Sequence, residues 1–275
     1  MTSSDVEVPG ARLFVVDEGA GAPVILLHAG AADLRSWDGL VPLLTAAGYR
    51  VVRYDARGFG RSTTDDVEFS HRADLLAVMD ALGIRRAALV GNSRGGMLAF
   101  DAAIESRERV VAVVGVGAGV GGFEGDSTAE ELALYDEYER VDKADPFDVA
   151  ALTAFEVHIW ADGPLQPASR VAPAIGDLLY EMNLPLNLAD HVRGREIALD
   201  PPANDRLREL FCPVLAVAGS FDFTDAVQVV RHLEAEAPNA RALVWDDVAH
   251  MIGMEVPDRL AAAITEFLAQ LERWD

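Results

Sequence analysis

Cysteine is nearly missing from this chain. Its sole thiol, Cys212, excludes an internal disulfide and a thiolate metal cluster. Standing before Pro213 at the start of an apolar run, it reads as a small buried hydrophobe. Positive charge is scarce as well: 23 Lys and Arg against 45 Asp and Glu leave a formal net charge of -22. Nucleic acid and anionic lipid both require clustered cations, so neither is an expected partner. Lys143 is the lone lysine, an arginine bias that reflects codon usage more than mechanism. Long apolar runs are absent too. The longest, near 110–120, falls short of the roughly 20 residues a membrane-spanning helix needs. The opening MTSSDVEVPG has neither a basic nor an apolar leader segment, which makes a cytoplasmic location the expectation.

What is present is a large apolar fraction in an ordered pattern. Hydrophobic residues make up 51% of 275 positions, enough to exclude general disorder and to fill a substantial core. Short apolar or β-branched runs at 13–16, 24–28, 50–55, 87–90, 110–116, 214–218 and 242–245 read as strands. The middle ones are almost continuously apolar, as in a parallel sheet covered on both faces. Helical patterns lie between them at 37–47, 70–82, 94–106, 224–237 and 257–273. Leu75, Leu76, Met79 and Leu82, for instance, share one helix face. Such alternation predicts an α/β fold with a mostly parallel central sheet flanked by helices. From 119 to 205 the strand pattern stops, and acidic helical stretches at 129–141, 147–160 and 172–182 replace it. A structureless loop of that length is improbable in a compact domain, so the segment is expected to be an inserted helical cap. The core is then 1–118 with 206–275, and the cap 119–205 sits above the carboxyl ends of the strands, where open α/β sheets bind ligands. There is no internal repeat.

The most informative motif is Gly91-Asn92-Ser93-Arg94-Gly95-Gly96, which joins a strand pattern to a helix pattern. The glycines remove side chains where strand and helix crowd together, letting Ser93 occupy a strained turn with its hydroxyl over the sheet. Isolated G-x-S-x-G matches are common by chance. This one gains weight from its setting and from an Asp and a His later in the chain.

With three further motifs in order, the chain resembles the α/β-hydrolase superfamily, in its esterase, enol-lactonase and carbon-carbon hydrolase branch. "LLHAGAADLRSWD" is similar to the oxyanion-strand motif, "VVRYDARGFGRS" to the D-x-R-G-x-G-x-S loop, "LVGNSRGG" to the nucleophile elbow, and "AGSFD" with "DDVAHMIGMEVP" to the acid and histidine loops. The resemblance covers nearly everything outside 119–205. It implies that Asp55, Arg57, Gly58, Gly60 and Ser62 shape a loop rather than react.

A serine hydroxyl is a weak nucleophile at neutral pH and needs a base to take its proton. His250 is the candidate base, with an ordinary pKa of about 6.5. An acid must orient its ring and stabilise the imidazolium without taking the proton. Asp222, at the family's G-x-x-D spacing in Gly219-Ser220-Phe221-Asp222, fills that role in the chain order Ser, Asp, His. Asp225 is a rival in sequence but reads better as a first-turn residue of the next helix. Asp246 and Asp247 stand too near His250 to orient it easily. An acid after the sixth strand would have to be Glu124, since GAGVGG carries no carboxylate. The resemblance implies an oxyanion hole made by the backbone N–H of Arg94 and one from the His28-Ala29-Gly30-Ala31 loop. Ala29 stands where a glycine is usual, leaving Ala29, Gly30 and Ala31 open, with Gly30 favoured by motif position.

Other features admit plainer readings. GAGVGG at 117–122 satisfies a dinucleotide fingerprint, yet no strand follows, and the glycines suit a hinge into the cap. No cofactor is expected. His28 reads as a structural hydrogen-bonder, and His71, His158, His191 and His232 share no metal-ligand spacing, which leaves them surface or capping roles and predicts no metal site. Trp37, His158, Trp160 and Met182 are candidate pocket residues, with ordinary packing as the alternative. The Arg94 side chain either contacts a substrate carboxylate or forms a buried ion pair. The expected function is a cofactor-independent serine hydrolase cleaving a small-molecule ester or lactone through an acyl-enzyme. Carbon-carbon hydrolysis of the meta-cleavage type is the alternative within the family. Epoxide hydrolases and haloalkane dehalogenases carry Asp where Ser93 stands and are disfavoured. Outside enzymes, a non-catalytic ligand-binding protein on the same fold is the competing class. Oligomeric state is not legible.

Overall fold

The computed structural model describes residues 1–188 and 194–271. Its centre is an eight-stranded sheet in the order β1 (Thr2–Val8), β2 (Ala11–Gly19), β4 (Arg50–Tyr54), β3 (Pro23–Leu27), β6 (Ala87–Asn92), β7 (Val110–Val116), β9 (Val214–Gly219) and β10 (Ala240–Trp245). Every pairing from β4 to β10 is parallel, while β2 runs antiparallel to both β1 and β4. β3, β6, β7 and β9 are buried at every position, which explains their unbroken apolar sequences: both faces are covered. This is the mostly parallel, helix-flanked α/β sheet expected from the alternating pattern, in the form that the motif resemblance implied. β1 was not foreseen, because Val6 and Val8 are its only apolar residues. The signal lay in the Pro9-Gly10 turn, where Gly10 has φ +70 and closes a hairpin pairing Val8 with Ala11.

Each face of the sheet carries its own core. On one, α2 (His71–Ala81), α3 (Arg94–Glu105) and α7 (Thr224–Glu236) contribute Leu75, Met79, Phe100, Val230 and Leu233 against Leu89 and Val113. On the other, α1 (Val41–Ala46), α8 (Ile252–Glu255) and α9 (Pro257–Leu268) contribute Leu44, Ile252, Leu260 and Ile264 against Leu26, Val90 and Val114. The helix read over 37–47 is in fact two pieces. Asp33 caps a single 3-10 turn at Leu34–Trp37 by accepting the Arg35 N–H, and α1 starts afresh with Pro42 in its first turn. The helix read to 273 ends at Leu268, and Arg273 lies outside the described residues.

Between β7 and β9 the chain makes a helical excursion of α4 (Ala129–Asp142), α5 (Val149–Val157) running into a wide turn at His158–Asp162, and α6 (Pro173–Leu188). A capping box starts α4: Thr128 Oγ1 accepts the Glu131 N–H at 3.2 Å and Glu131 Oε2 accepts the Thr128 N–H at 2.7 Å. Glu131 Oε1 also accepts the Thr224 N–H at 2.6 Å, stitching the excursion to the first turn of α7. Its two ends meet, since Asn204 N donates to Gly121 O at 2.9 Å. α6 runs through Pro185, past the expected end at 182. A strand pattern was not expected here, yet Arg195–Glu196 (β8) pairs in parallel with Glu68–Phe69 (β5). Two residues are too short for a periodic signal.

Arg57 anchors the loop after β4. Its guanidinium makes bonds of 2.5 and 2.8 Å to the Asp74 carboxylate and one of 2.8 Å to Pro9 O, with only 2% and 4% of the two side chains exposed. Removing one partner strands a buried charge. Asp74→Ala should therefore lose about 3–5 kcal/mol of unfolding free energy in urea titration. Asp5→Ala, which breaks the exposed Arg12 pair, should lose under about 1 kcal/mol. Equal losses would contradict this reading.

Candidate active site

The parallel strands end along one edge, and their exits carry the residues singled out above. β6 turns into α3 at Ser93, which takes φ 51 and ψ -117. A non-glycine residue held there costs roughly 1–3 kcal/mol, so its surroundings must enforce it. Ser93 N donates to Val116 O at 2.9 Å, and Ser93 O accepts from Gly96 N and Met97 N at 2.9 and 3.0 Å. Glycine permits the crossing: a Cβ on Gly95 would stand 2.1 Å from Leu27 O, and one on Gly91 2.2 Å from Gly95 O. Ser93 thereby lines a cavity of about 630 Å³ with His250, Arg94, Ala29, Gly30 and Ala31.

The exits of β9 and β10 bring Asp222 and His250 together. His250 Nδ1 and Asp222 Oδ2 are 2.8 Å apart in a buried pair, and Asp222 Oδ1 accepts the Phe223 N–H at 2.8 Å. An ionised carboxylate only accepts, so Nδ1 carries the proton and Nε2 keeps its lone pair. Burial alone would lower the imidazole pKa, but the charge of Asp222 and its hydrogen bond outweigh that, and the net shift is upward. Asn92 Nδ2 donates to both Val116 O and His250 O, at 2.8 and 3.2 Å, which ties the strand carrying Ser93 to the histidine loop. No hydrogen bond links the Ser93 hydroxyl to the imidazole in this structure; the two groups meet only as walls of one cavity. Gly117, at φ +51, runs beneath the pair, where a Cβ would lie 3.1 Å from His250 Nδ1 and 3.3 Å from Asp222 Oδ2. That contact accounts for the first glycine of GAGVGG. Of the rival acids, Asp225 sits in the first turn of α7, while Asp246, Asp247 and Glu124 are exposed.

The β3 exit supplies the 28–31 loop. His28 Nε2 accepts the Ala56 N–H at 3.0 Å, and its Nδ1 donates to Ala29 O at 2.8 Å. Burial, with help from Arg94, pushes the His28 pKa down to about 3. It is a neutral brace. At the start of α3 the Arg94 N–H finds no acceptor among the described residues, a free donor at a helix N-terminus.

Of the other pocket candidates, only Trp160 reaches the cavity, with its ring 4.7 Å from that of His250. Trp37 is buried in the core against Gly253. His158 bonds Asp162 at 3.2 Å and faces a separate cleft. Met182 Sδ accepts the Asp33 N–H at 3.5 Å and borders a neighbouring cavity of about 760 Å³. Periodicity gives the face of a helix but not what that face meets, and these three corrections follow from that. His232 bonds Asn204 Oδ1 at 2.9 Å, and His191 lies outside the described residues. His71 corrects the surface or capping reading: it is buried and lines the cavity. Burial and the nearby Arg94 charge hold its pKa down to about 2. Phe59, Tyr138, Glu156, Asn183 and Asn187 also line the cavity without having been foreseen. Glu156 accepts from Tyr138 Oη, Asn183 Nδ2 and Asn187 Nδ2 at 3.0, 2.6 and 2.5 Å. Arg94 forms no ion pair with any described carboxylate; Nη1 donates to His71 Nε2 at 3.3 Å and the guanidinium lies 4.7 Å from the Phe59 ring centre. Among the described residues no group of three or more His, Cys, Asp or Glu is arranged to hold a metal ion, and no helix is long and apolar enough to cross a membrane.

Fold and cavity together are those of a hydrolase, and residues 22–257 match the alpha/beta hydrolase fold family, to which this chain belongs. It is 39% identical over 117 residues to 2-hydroxy-6-oxo-6-phenylhexa-2,4-dienoate hydrolase of Burkholderia cepacia, covering 39% of this chain and 40% of that one. Epoxide hydrolase A of Mycobacterium tuberculosis is 38% identical over 115 residues, 39% of this chain and 36% of that one. Both matches span less than half of the relative. Over 94% of this chain and 91% of the other, identity is 28% to 2-hydroxy-6-oxononadienedioate/2-hydroxy-6-oxononatrienedioate hydrolase of Paraburkholderia phymatum. A malate-bound thermophilic esterase from Thermogutta terrifontis superposes with a TM-score of 0.72 at 25% identity, covering 98% and 99% of the two chains.

The upward shift of His250 depends on one carboxylate, and Asp222→Asn should reverse it. The imidazole should titrate above 6.5 in the wild type and below 6.5 in the variant, read from its NMR resonances against pH. A raised folded pKa stabilises below the unfolded value and loses that contribution as pH climbs through the folded one. The stability gap between the two proteins should accordingly be widest below pH 6.5 and narrow in base. An unmoved titration would contradict the assignment.

Proposed function

We propose that this protein is a cofactor-independent serine hydrolase that cleaves a small-molecule carboxylic ester or lactone through an acyl-enzyme. The observation that carries the reading is the buried 2.8 Å bond between His250 Nδ1 and Asp222 Oδ2, on a cavity that also exposes Ser93 at a strained turn. In the proposed reaction Ser93 Oγ attacks the acyl carbon while its proton passes to His250 Nε2. Asp222 stays ionised and stabilises the imidazolium. The tetrahedral oxyanion takes hydrogen bonds from the Arg94 N–H and from one of Ala29, Gly30 and Ala31, with Gly30 favoured; each such donor is worth about a hundredfold or more in rate. The imidazolium returns its proton to the leaving oxygen as the C–O bond breaks. Water, deprotonated by the same ring, then releases the acid and restores Ser93. The 119–205 excursion serves as a cap, since Trp160, Glu156, Asn183 and Asn187 wall the cavity from above the strand ends. Ser93, rather than a carboxylate, at the nucleophile position argues against epoxide opening despite the local similarity to an epoxide hydrolase.

Hydrolysis of a carbon-carbon bond is the second reading, favoured by the names of the two dienoate-hydrolysing relatives and by the GNS-x-GG form of the elbow. Efficient turnover of such dienoates with negligible ester cleavage would select it. For the leading reading, Ser93→Ala should abolish the burst of p-nitrophenol from short-chain esters and lower kcat by about 10³-fold or more. Retention of near wild-type turnover would refute it.

A further inference from the structure

A guanidinium stands beside the proposed nucleophile with few partners of its own. The Arg94 charge has no carboxylate within ion-pair distance among the described residues; its single side-chain hydrogen bond goes to a neutral imidazole, His71 Nε2 at 3.3 Å. The Phe59 ring supports the flat guanidinium from the side, at 4.7 Å. Nε is sealed from solvent and has no acceptor. Glu196 lines the same wall, 4.0 Å from His71 Nε2, and its charge acts on Arg94 without forming an ion pair with it. A planar fork of five donors that spends one of them is matched in shape and charge to a carboxylate.

The rest of the cavity gives that match a direction. Glu156 and Asp142 line it from the helical excursion, and Glu156 has already gathered Tyr138, Asn183 and Asn187 as donors. An anionic group placed there would face like charge. At the other wall, Arg94 offers donors and a positive charge. The protein's net charge of -22 opposes any anion at long range, but salt at physiological strength screens beyond about 8 Å, whereas a partly buried cation at contact is screened far less. Contact wins once the ligand is inside.

We propose that Arg94 anchors a free carboxylate on the substrate, so that the ester or lactone cleaved at Ser93 is itself an organic anion, bound with its carboxylate against Arg94 and its neutral part toward Trp160 and Asn183. This rests on the serine-hydrolase reading for the reaction, though the anion site itself can be tested without turnover. The backbone N–H of Arg94 is a separate group and is untouched by side-chain replacement.

The test compares mono-p-nitrophenyl esters of succinate, glutarate and adipate with the same compounds capped as methyl esters. In the wild type, the ratio of kcat/KM for charged over capped substrate should exceed one for at least one chain length. Arg94→Gln should lower that ratio by about tenfold to a hundredfold, the scale of a hydrogen-bonded charge contact, and Arg94→Lys should retain part of it. In parallel, glutarate should raise the melting temperature of the wild type and not of Arg94→Gln, while the uncharged 1,5-pentanediol should do neither. Ester cleavage at Ser93 with a ratio indifferent to Arg94 and no glutarate stabilisation overturns the anion site. Glutarate stabilisation that depends on Arg94, in a protein that cleaves none of the esters, leaves the site standing and removes the hydrolase reading instead.

Discussion

One buried hydrogen bond organises the candidate site of this molecule: the contact between the Asp222 carboxylate and the imidazole of His250. It fixes the tautomer, leaves the Nε2 lone pair unprotonated in the neutral ring, and reverses the pKa depression that burial alone would impose. The bond needs room, which is why Gly117 passes below it without a side chain. It also needs a rigid base. Asp222, His250, Ser93 and the 28–31 loop leave four different strands, and only a parallel sheet sends all those exits to one edge. Asn92 then joins two of the exits directly through His250 O.

Stability is given up at the same edge. Ser93 occupies a backbone conformation that L-residues avoid, and Arg94 forms no ion pair with any described carboxylate. Both departures sit on adjacent residues at the mouth of one cavity. By contrast, the deeply buried Arg57 has Asp74, Arg170 has Glu255, and the strands are covered by two apolar cores.

The architecture was legible because it rests on local chemistry. Seven strand runs and the helices between them announce themselves by period, and the turn at 91–96 announces itself by where glycine is indispensable. The Asp222 and His250 positions came from the motif resemblance, the G-x-x-D spacing and the chain order that fits it, and the structure places the two in contact. What escaped was whatever depends on distant packing. β1 has too few apolar residues to show a period, and β5 with β8 are too short. Trp37, His158 and Met182 were read as pocket residues from type and face alone, whereas the structure sends each elsewhere. His71 and Glu156 were unreadable for the converse reason: each is one polar residue in a helix, and only the fold turns it toward Ser93. For Arg94 the sequence offers two readings, and the lack of an ion pair with any described carboxylate removes one.

The most direct measurement is covalent labelling with a fluorophosphonate, read by mass spectrometry of the intact protein and of its peptides. The account predicts a single adduct on Ser93, formed fast in the wild type and slowed severely by His250→Ala. Labelling at another residue, or hydrolytic activity that survives with Ser93 unmodified, would contradict it.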